Sequence, residues 1–489
     1  MDTERYIKKI DEVIDRGPYS ADWASLSKYR TPEWFMDLKL GIFIHWGVYS
    51  VPAYGNEWYP HNMYVKGSDE YEHHIKTYGP HKTFGYKDFI PMFRGEDFDP
   101  EDWAQLFCDA GARYVVPVAE HHDGFQMYKS DISHWNAYEM GPKRDVLGEL
   151  TAQCRKKGLE TGCSSHRIEH WFYMGNGRDF DSDVCEPMQK GDLYWPAMTE
   201  ADHHDIFSKP APTKEFLDDW MIRTCELIDN YRPQILYFDW WIHHSSAKEH
   251  LKKIAAYYYN RAHEWGRDVV INYKHDAFLF GTAVPDVERG QFADLKHYYW
   301  QGCGAVALNS WGYTENNRYR TPYEIICDFI DIISKNGNML LNVGPRSDGT
   351  IPDEDREILL AIGRWLKVNG EAVYGARTWR IFGEGPTRIT EGQFADDIKK
   401  NFTSSDFRFM TSKDCLYVFA LRPDEKGEYS VTALGDRDAK KKANFKGIIK
   451  DISVLGSDEK PVWTRDEEAL HIRTSFKSDL PIVFRLKID

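Results

Sequence analysis

Eight residues of this 489-residue chain stand directly behind short apolar runs and carry groups able to do chemistry: His45, His121, His122, His166, Asp239, Lys274, Glu288 and Trp311. Asp239 is the most informative of them. In Tyr237-Phe238-Asp239-Trp240-Trp241 an acid is flanked by four aromatic rings. Such a carboxylate can cap a helix or enter an ion pair. Among rings able to stack on the faces of sugars it can instead attack an oxocarbenium-like anomeric carbon, because its low pKa keeps it ionised. Glu288, in Asp286-Val287-Glu288-Arg289-Gly290, is a candidate for the second carboxylate that glycoside cleavage needs; as a loop residue it would pair with Arg289 instead. Neutral imidazoles at His45, His121 and His122 suit a different task, orienting sugar hydroxyls as fixed donors and acceptors. Side chains alternate along a strand, so one of His121 and His122 is expected to point away from the others. His243 and His244 read as loop residues.

Residues that act together must be brought together, and the apolar runs say how. GIFIHW (41–46), YVVPVAEHH (114–122), LETGCSSH (159–166), ILYFDWW (235–241), VVINYK (269–274), AVALNSW (305–311) and NMLLNVG (338–344) read as buried parallel strands. AVPDVER (283–289) falls in the interval that completes eight. Between them, segments such as DPEDWAQLFCDAG (99–111), DVLGELTAQCRKKG (145–158) and YEIICDFIDIISKNG (323–337) open on acidic residues and close on Lys or Gly, as helix ends prefer. The alternation predicts an α/β fold, a (β/α)₈ TIM-like barrel over residues 1–375, whose catalytic groups project from the C-terminal ends of the strands. Beyond Ala376 the runs LYVFAL, YSVTAL, PVWTR, LHIRTS and PIVFRL alternate at short spacing. They predict a C-terminal antiparallel β-sandwich domain over 376–489, packed closely on the barrel.

Composition removes whole classes of function. A net charge of -15 argues against a nucleic-acid binder, which needs a basic face. No run approaches the length of a membrane span. The eight cysteines are scattered without a CxxC pair, so they read as reduced thiols and not as a zinc site or disulfide framework. His45-Trp46-Gly47 lacks the two histidines, one residue apart, that metal-bound barrel hydrolases carry at the first strand, and the reading assigns no metal. The N-terminal MDTERYIKKIDEVIDRG lacks the apolar core of a secretory signal, so a cytoplasmic location is expected. Homo-oligomer formation is compatible with this composition.

The stretches GIFIHWGVYSVPAYGNEWY, EHHDGFQMYKS, YFDWW, NSWGYTENN and GNMLLNVGPRSDGTIPDEDREILLAIGRWLKVNGEAVYG, in this order from about Trp34 to Trp379, resemble the α-L-fucosidases of glycoside hydrolase family 29. The resemblance implies hydrolysis of terminal α-L-fucose from oligosaccharides or glycoconjugates with retention, through a fucosyl-enzyme intermediate and without metal or organic cofactor. It implies Asp239 as nucleophile and Glu288 as acid/base. It places His45, Glu57, Trp58, His121 and His122 on the fucose hydroxyls, and Phe43, Tyr237 and Trp311 as a wall around the C6 methyl. Three positions depart from the pattern. Glu120 stands where a Lys usually precedes the paired histidines. A Tyr of the third strand falls within Cys163-Ser164-Ser165-His166, so His166, with Glu169 and Trp171 beyond it, is expected to supply that wall. Lys274 replaces an Arg, keeping the charge in the site but losing the planar fork. A fucose-binding module that does not turn over would lack a carboxylate, and both are present. A metal-dependent amidohydrolase or a glycosidase for a related sugar would share the barrel.

Overall fold

A computed structural model describes residues 3–185, 188–202, 204–436 and 445–489. Eight parallel strands close into a barrel in sequence order: β1 (Leu40–Ile44), β2 (Tyr114–Glu120), β3 (Glu160–Ser165), β4 (Ile235–Phe238), β5 (Val270–Tyr273), β6 (Val284–Glu288), β7 (Trp300–Ala305) and β8 (Gly337–Val343). Closure is made by β1 on β8, from Leu40 opposite Met339 to Ile44 opposite Val343. Runs such as YVVPVAE in β2 are buried along their whole length, because helices cover one face and barrel interior the other. The helices start where the sequence supplies caps. The Asp99 carboxylate accepts from the backbone of Glu101 and Asp102 ahead of Pro100–Asp109, and Thr321 and Glu324 form a capping box ahead of Pro322–Ser334.

The seventh strand lies five residues earlier than the apolar run AVALNSW suggested. Its sequence, WQGCGA, is polar and glycine-rich for a physical reason. The Gln301 side chain donates to Asp286 Oδ2 at 2.8 Å and accepts from the Tyr114 hydroxyl at 2.9 Å inside the barrel, so this strand carries part of a polar network in place of an apolar run. Residues 306–311 are loop beyond the strand's end.

The C-terminal region forms a sandwich of two antiparallel sheets. One holds β9 (Arg377–Glu384), β10 (Phe407–Ser412), β11 (Cys415–Ala420), β13 (Ile449–Val454) and β16 (Ile482–Ile488); the other holds β12 (Glu428–Val431), β14 (Val462–Arg465) and β15 (Leu470–Arg473). Phe409, Val418, Ile452 and Phe484 of the first pack against Val431, Leu470 and Ile472 of the second. The larger sheet also shares a core with the barrel: Met410, Phe419 and Val483 pack with Ile326, Ile330 and Trp365 of two barrel helices. A buried ion-pair chain crosses the same junction, Lys335 to Asp331 at 2.5 Å and Asp331 to Arg408 at 2.5 Å.

Candidate active site

Five of the residues singled out above, His45, His121, His166, Asp239 and Lys274, are each the first residue after their strand, and Glu288 is the last of β6. Strand ends of a closed barrel converge, so this regularity alone gathers them around one cavity of about 410 Å³. The chain then turns sharply on one side. Trp241, His275 and Arg289 take left-handed backbone angles (φ 66, 52 and 42°) within two residues of Asp239, Lys274 and Glu288. Bulky residues adopt this region rarely and only when the surroundings hold them there.

The centre of the cavity is a cation between two acids. Lys274 Nζ donates to Asp239 Oδ1 at 2.5 Å and to Glu288 Oε2 at 2.6 Å, and all three are buried. Two oxygens held on one nitrogen can be no more than about 5 Å apart, well short of the roughly 6.5 to 9.5 Å that separates the carboxyl groups of inverting glycosidases. The other Asp239 oxygen faces His166 Nδ1 at 2.8 Å and His122 Nε2 at 3.3 Å. Burial would raise the Asp239 carboxyl, but Lys274, His166 and His122 outweigh it and hold it well below the usual carboxylate range. Glu288 goes the other way: burial, reinforced by the charge of Asp239, raises it despite Lys274 and the indole N–H of Trp240, which also donates to it. One acid is kept ionised and its neighbour is biased towards holding a proton.

The histidines are set by partners behind them. Asn342 donates through Nδ2 to the Trp311 carbonyl at 2.7 Å, which turns its Oδ1 towards His45 Nδ1 at 2.6 Å. Nδ1 must then carry the proton, leaving His45 Nε2 as an acceptor. Burial lowers His45 and His121 well below the ordinary histidine value, so both are neutral. His122 is different. Burial alone would lower it, but Glu169 at 3.4 Å and Asp239 push it up to about 9, which makes it a second cation. His45, His121 and His166, and likewise His122, His166 and Asp239, are grouped tightly enough to ligate a metal. His166 would have to give up a bond to do so, since Nδ1 is on Asp239 and Nε2 is 2.9 Å from the Ser164 hydroxyl.

Comparisons of the whole chain with known proteins place it in a family. The profile of the Alpha-L-fucosidase family matches residues 7–371. The chain belongs to this family. Tissue alpha-L-fucosidase of Rattus norvegicus is 34% identical over 371 residues, covering 75% of this chain and 74% of that one, and the Homo sapiens protein is 32% identical over 374 residues, covering 76% and 74%. Among solved structures, Thermotoga maritima alpha-fucosidase in complex with a mechanism based inhibitor is 29% identical, with TM-score 0.73, covering 96% of this chain and 100% of that one. Family membership makes the chain a glycoside hydrolase.

Of the residues expected at the site of an α-L-fucosidase, Phe43, His45, Glu57, Trp58, His121, His122, His166, Asp239, Lys274, Glu288 and Trp311 all line the cavity. Three expectations need correction, and one alternative is set aside. Tyr237 does not line it: the ring lies behind Phe43, with centroids 4.9 Å apart, and its hydroxyl donates to Asp286 at 3.0 Å. His121 and His122 both face the cavity, because β2 ends at Glu120 and strand alternation no longer applies to them. Glu169 joins His166 on the cavity wall, but Trp171 is wholly buried against Trp241. Arg289 pairs at 3.0 Å with Asp396 and not with Glu288. Glu120, the unusual residue before the histidines, is buried away from the cavity on Arg167 and Arg223 at 2.8 and 3.1 Å. Glu57 ties the 310–312 loop down, its Oε2 accepting from the Trp311 backbone at 2.8 Å and the Ser310 hydroxyl at 3.1 Å. The sequence reading did not single out Asn56, His204 or Phe394, which also line the cavity. Phe394 sits in the polar stretch EGQFADD beyond the barrel, where nothing local marks it.

Proposed function

We propose that the chain hydrolyses terminal α-L-fucosides of oligosaccharides or glycoconjugates by double displacement with retention, Asp239 acting as nucleophile and Glu288 as acid/base. The observation that carries this reading is the pair of carboxylates held on one Lys274 ammonium, with pKa values driven apart. In the first step an Asp239 oxygen bonds to the anomeric carbon as the glycosidic bond breaks, and the proton of Glu288 passes to the leaving oxygen. Esterification removes the negative charge of Asp239, which is one of the influences that raise Glu288. The Glu288 pKa then falls, so the carboxylate left after the first step stays deprotonated and serves as the general base of the second, taking a proton from the water that attacks the anomeric carbon as the ester bond breaks.

Recognition of the sugar follows from the same geometry. His45 Nε2 accepts from a sugar hydroxyl, and His121, whose Nδ1 has no partner among the described residues, supplies another orienting contact. Phe43 and Trp311, with ring centroids 6.0 Å apart, offer the C6 methyl an apolar wall. A 6-hydroxyl pressed there would lose its hydrogen bonds to water at a cost of about 1 to 3 kcal/mol. The test is to follow 4-nitrophenyl α-L-fucoside hydrolysis by proton NMR before mutarotation. Retention requires α-fucose as the first product; β-fucose as the first product, or no turnover by folded protein, removes the reading.

A further inference from the structure

The segment 391–400, which follows β9 in the C-terminal region, reaches back to the mouth of the barrel. Its backbone is stitched to the end of β6: Phe394 N–H donates to the Glu288 carbonyl at 2.9 Å, and Ala395 and Asp396 N–H donate to that of Arg289 at 2.7 and 2.9 Å. Side chains hold the same join, with Arg289 on Asp396 at 3.0 Å, Glu391 accepting from Ala293 N–H at 3.0 Å, and Lys400 on Asp328 at 2.6 Å. The strands pass so closely that a Cβ on Gly290 would lie 1.8 Å from the Gly392 carbonyl oxygen. This binding places a phenylalanine ring in the cavity wall while leaving it 53% exposed, on a backbone with φ 54°. An apolar ring held towards solvent in a left-handed conformation serves no packing purpose that the barrel requires.

We infer that Phe394 and Trp240 form the platform for the sugar ring on the leaving side of the scissile bond. The inference rests on the proposed role of Glu288 as proton donor and deepens it. Both rings are fastened to that residue, Trp240 through its indole N–H on the carboxylate and Phe394 through its backbone on the carbonyl. A group that protonates the leaving oxygen must touch it, so whatever lies beyond that oxygen meets these two rings. They are near-parallel, 24° apart in plane with centroids 6.0 Å apart, and the edge of His275 supports Trp240 at 4.4 Å. Flat apolar faces of this kind take the C–H face of a pyranose. The occupant is a hexose or N-acetylhexosamine unit of a fucosylated oligosaccharide, and the C-terminal region is thereby part of the substrate site.

The variant Phe394→Gly removes the ring and suits the left-handed backbone, so loss of folding does not confuse the result. It is compared with wild type and Phe394→Tyr on α-L-fucosyl fluoride, 4-nitrophenyl α-L-fucoside, and the galactose- or N-acetylglucosamine-linked fucoside that wild type cleaves fastest. Fluoride cannot reach the platform. Phe394→Gly is expected to lower kcat/KM on the disaccharide roughly tenfold, with fluoride within about twofold of wild type and Phe394→Tyr restoring the disaccharide. Equal losses on fluoride and disaccharide, a loss confined to the aryl fucoside, or a wild type that cleaves fluoride but no disaccharide would overturn the platform. A folded wild type inert towards fluoride removes the fucosidase reading beneath it.

Discussion

The two sides of the cavity are built differently. The floor, Phe43, His45, His121, His166 and Asp239, is less than a tenth exposed and stands on consecutive strand ends, with ordinary backbone through His45, His121 and His166. The rim around Glu288 is reached through four residues with left-handed backbone, Trp241, His275, Arg289 and Phe394, one of them from the C-terminal region. A floor that must stay dry and hold a low-pKa carboxylate can be made from a rigid barrel alone. A rim that must admit a leaving group needs side chains aimed across the mouth, and here sharp turns after β4, β5 and β6, plus a distant loop, do the aiming.

Substitutions can break or sharpen this contrast. Asp239→Ala removes the floor's reacting group and is expected to lower kcat on 4-nitrophenyl α-L-fucoside by on the order of 10⁴-fold, measured by initial rates with a folded-state control. Lys274→Met unpins both carboxylates at once. Each pKa then rises, so the activity profile shifts as a whole to higher pH and the rate near neutrality falls on the order of 10²-fold; a profile that stays in place would show Lys274 is not their counter-ion.

His122 affects stability as well as chemistry. Its folded pKa, about 9, lies above the unfolded value near 6.5. Its charged form therefore stabilises the fold fully below about pH 6.5, and that contribution fades as pH rises through about 9. Denaturant unfolding of wild type against His122→Gln is expected to differ by roughly 3 kcal/mol near pH 6 and by much less near pH 10. The smallest effect belongs to the rim. Gly290→Ala forces the 391–400 segment off the barrel and is expected to reduce kcat/KM several-fold, more on a fucosyl disaccharide than on fucosyl fluoride.

The same contrast decides what the sequence reveals. The barrel is legible because six of its strands announce themselves as apolar runs, and the floor is legible because its residues lie at the ends of those runs. The seventh strand was misplaced because Gln301 and Asp286 satisfy one another inside the barrel, replacing the apolar signal with a polar one. The family resemblance puts Tyr237 in the cavity wall, whereas its side chain turns to Asp286 beneath Phe43. Phe394 is invisible because its place depends on backbone bonds to residues more than 100 positions earlier, which no local pattern encodes.

The assignment of Asp239 and Glu288 is tested most directly by azide rescue, with NMR identification of the fucosyl azide formed from an α-fucoside. Azide replacing a missing nucleophile attacks the β face, so Asp239→Gly is predicted to yield the β-azide. In Glu288→Ala the fucosyl-Asp239 ester still forms from an activated substrate, and azide opens it from the opposite face to give the α-azide. The α-azide from Asp239→Gly, or the β-azide from Glu288→Ala, would contradict the roles given to these two carboxylates.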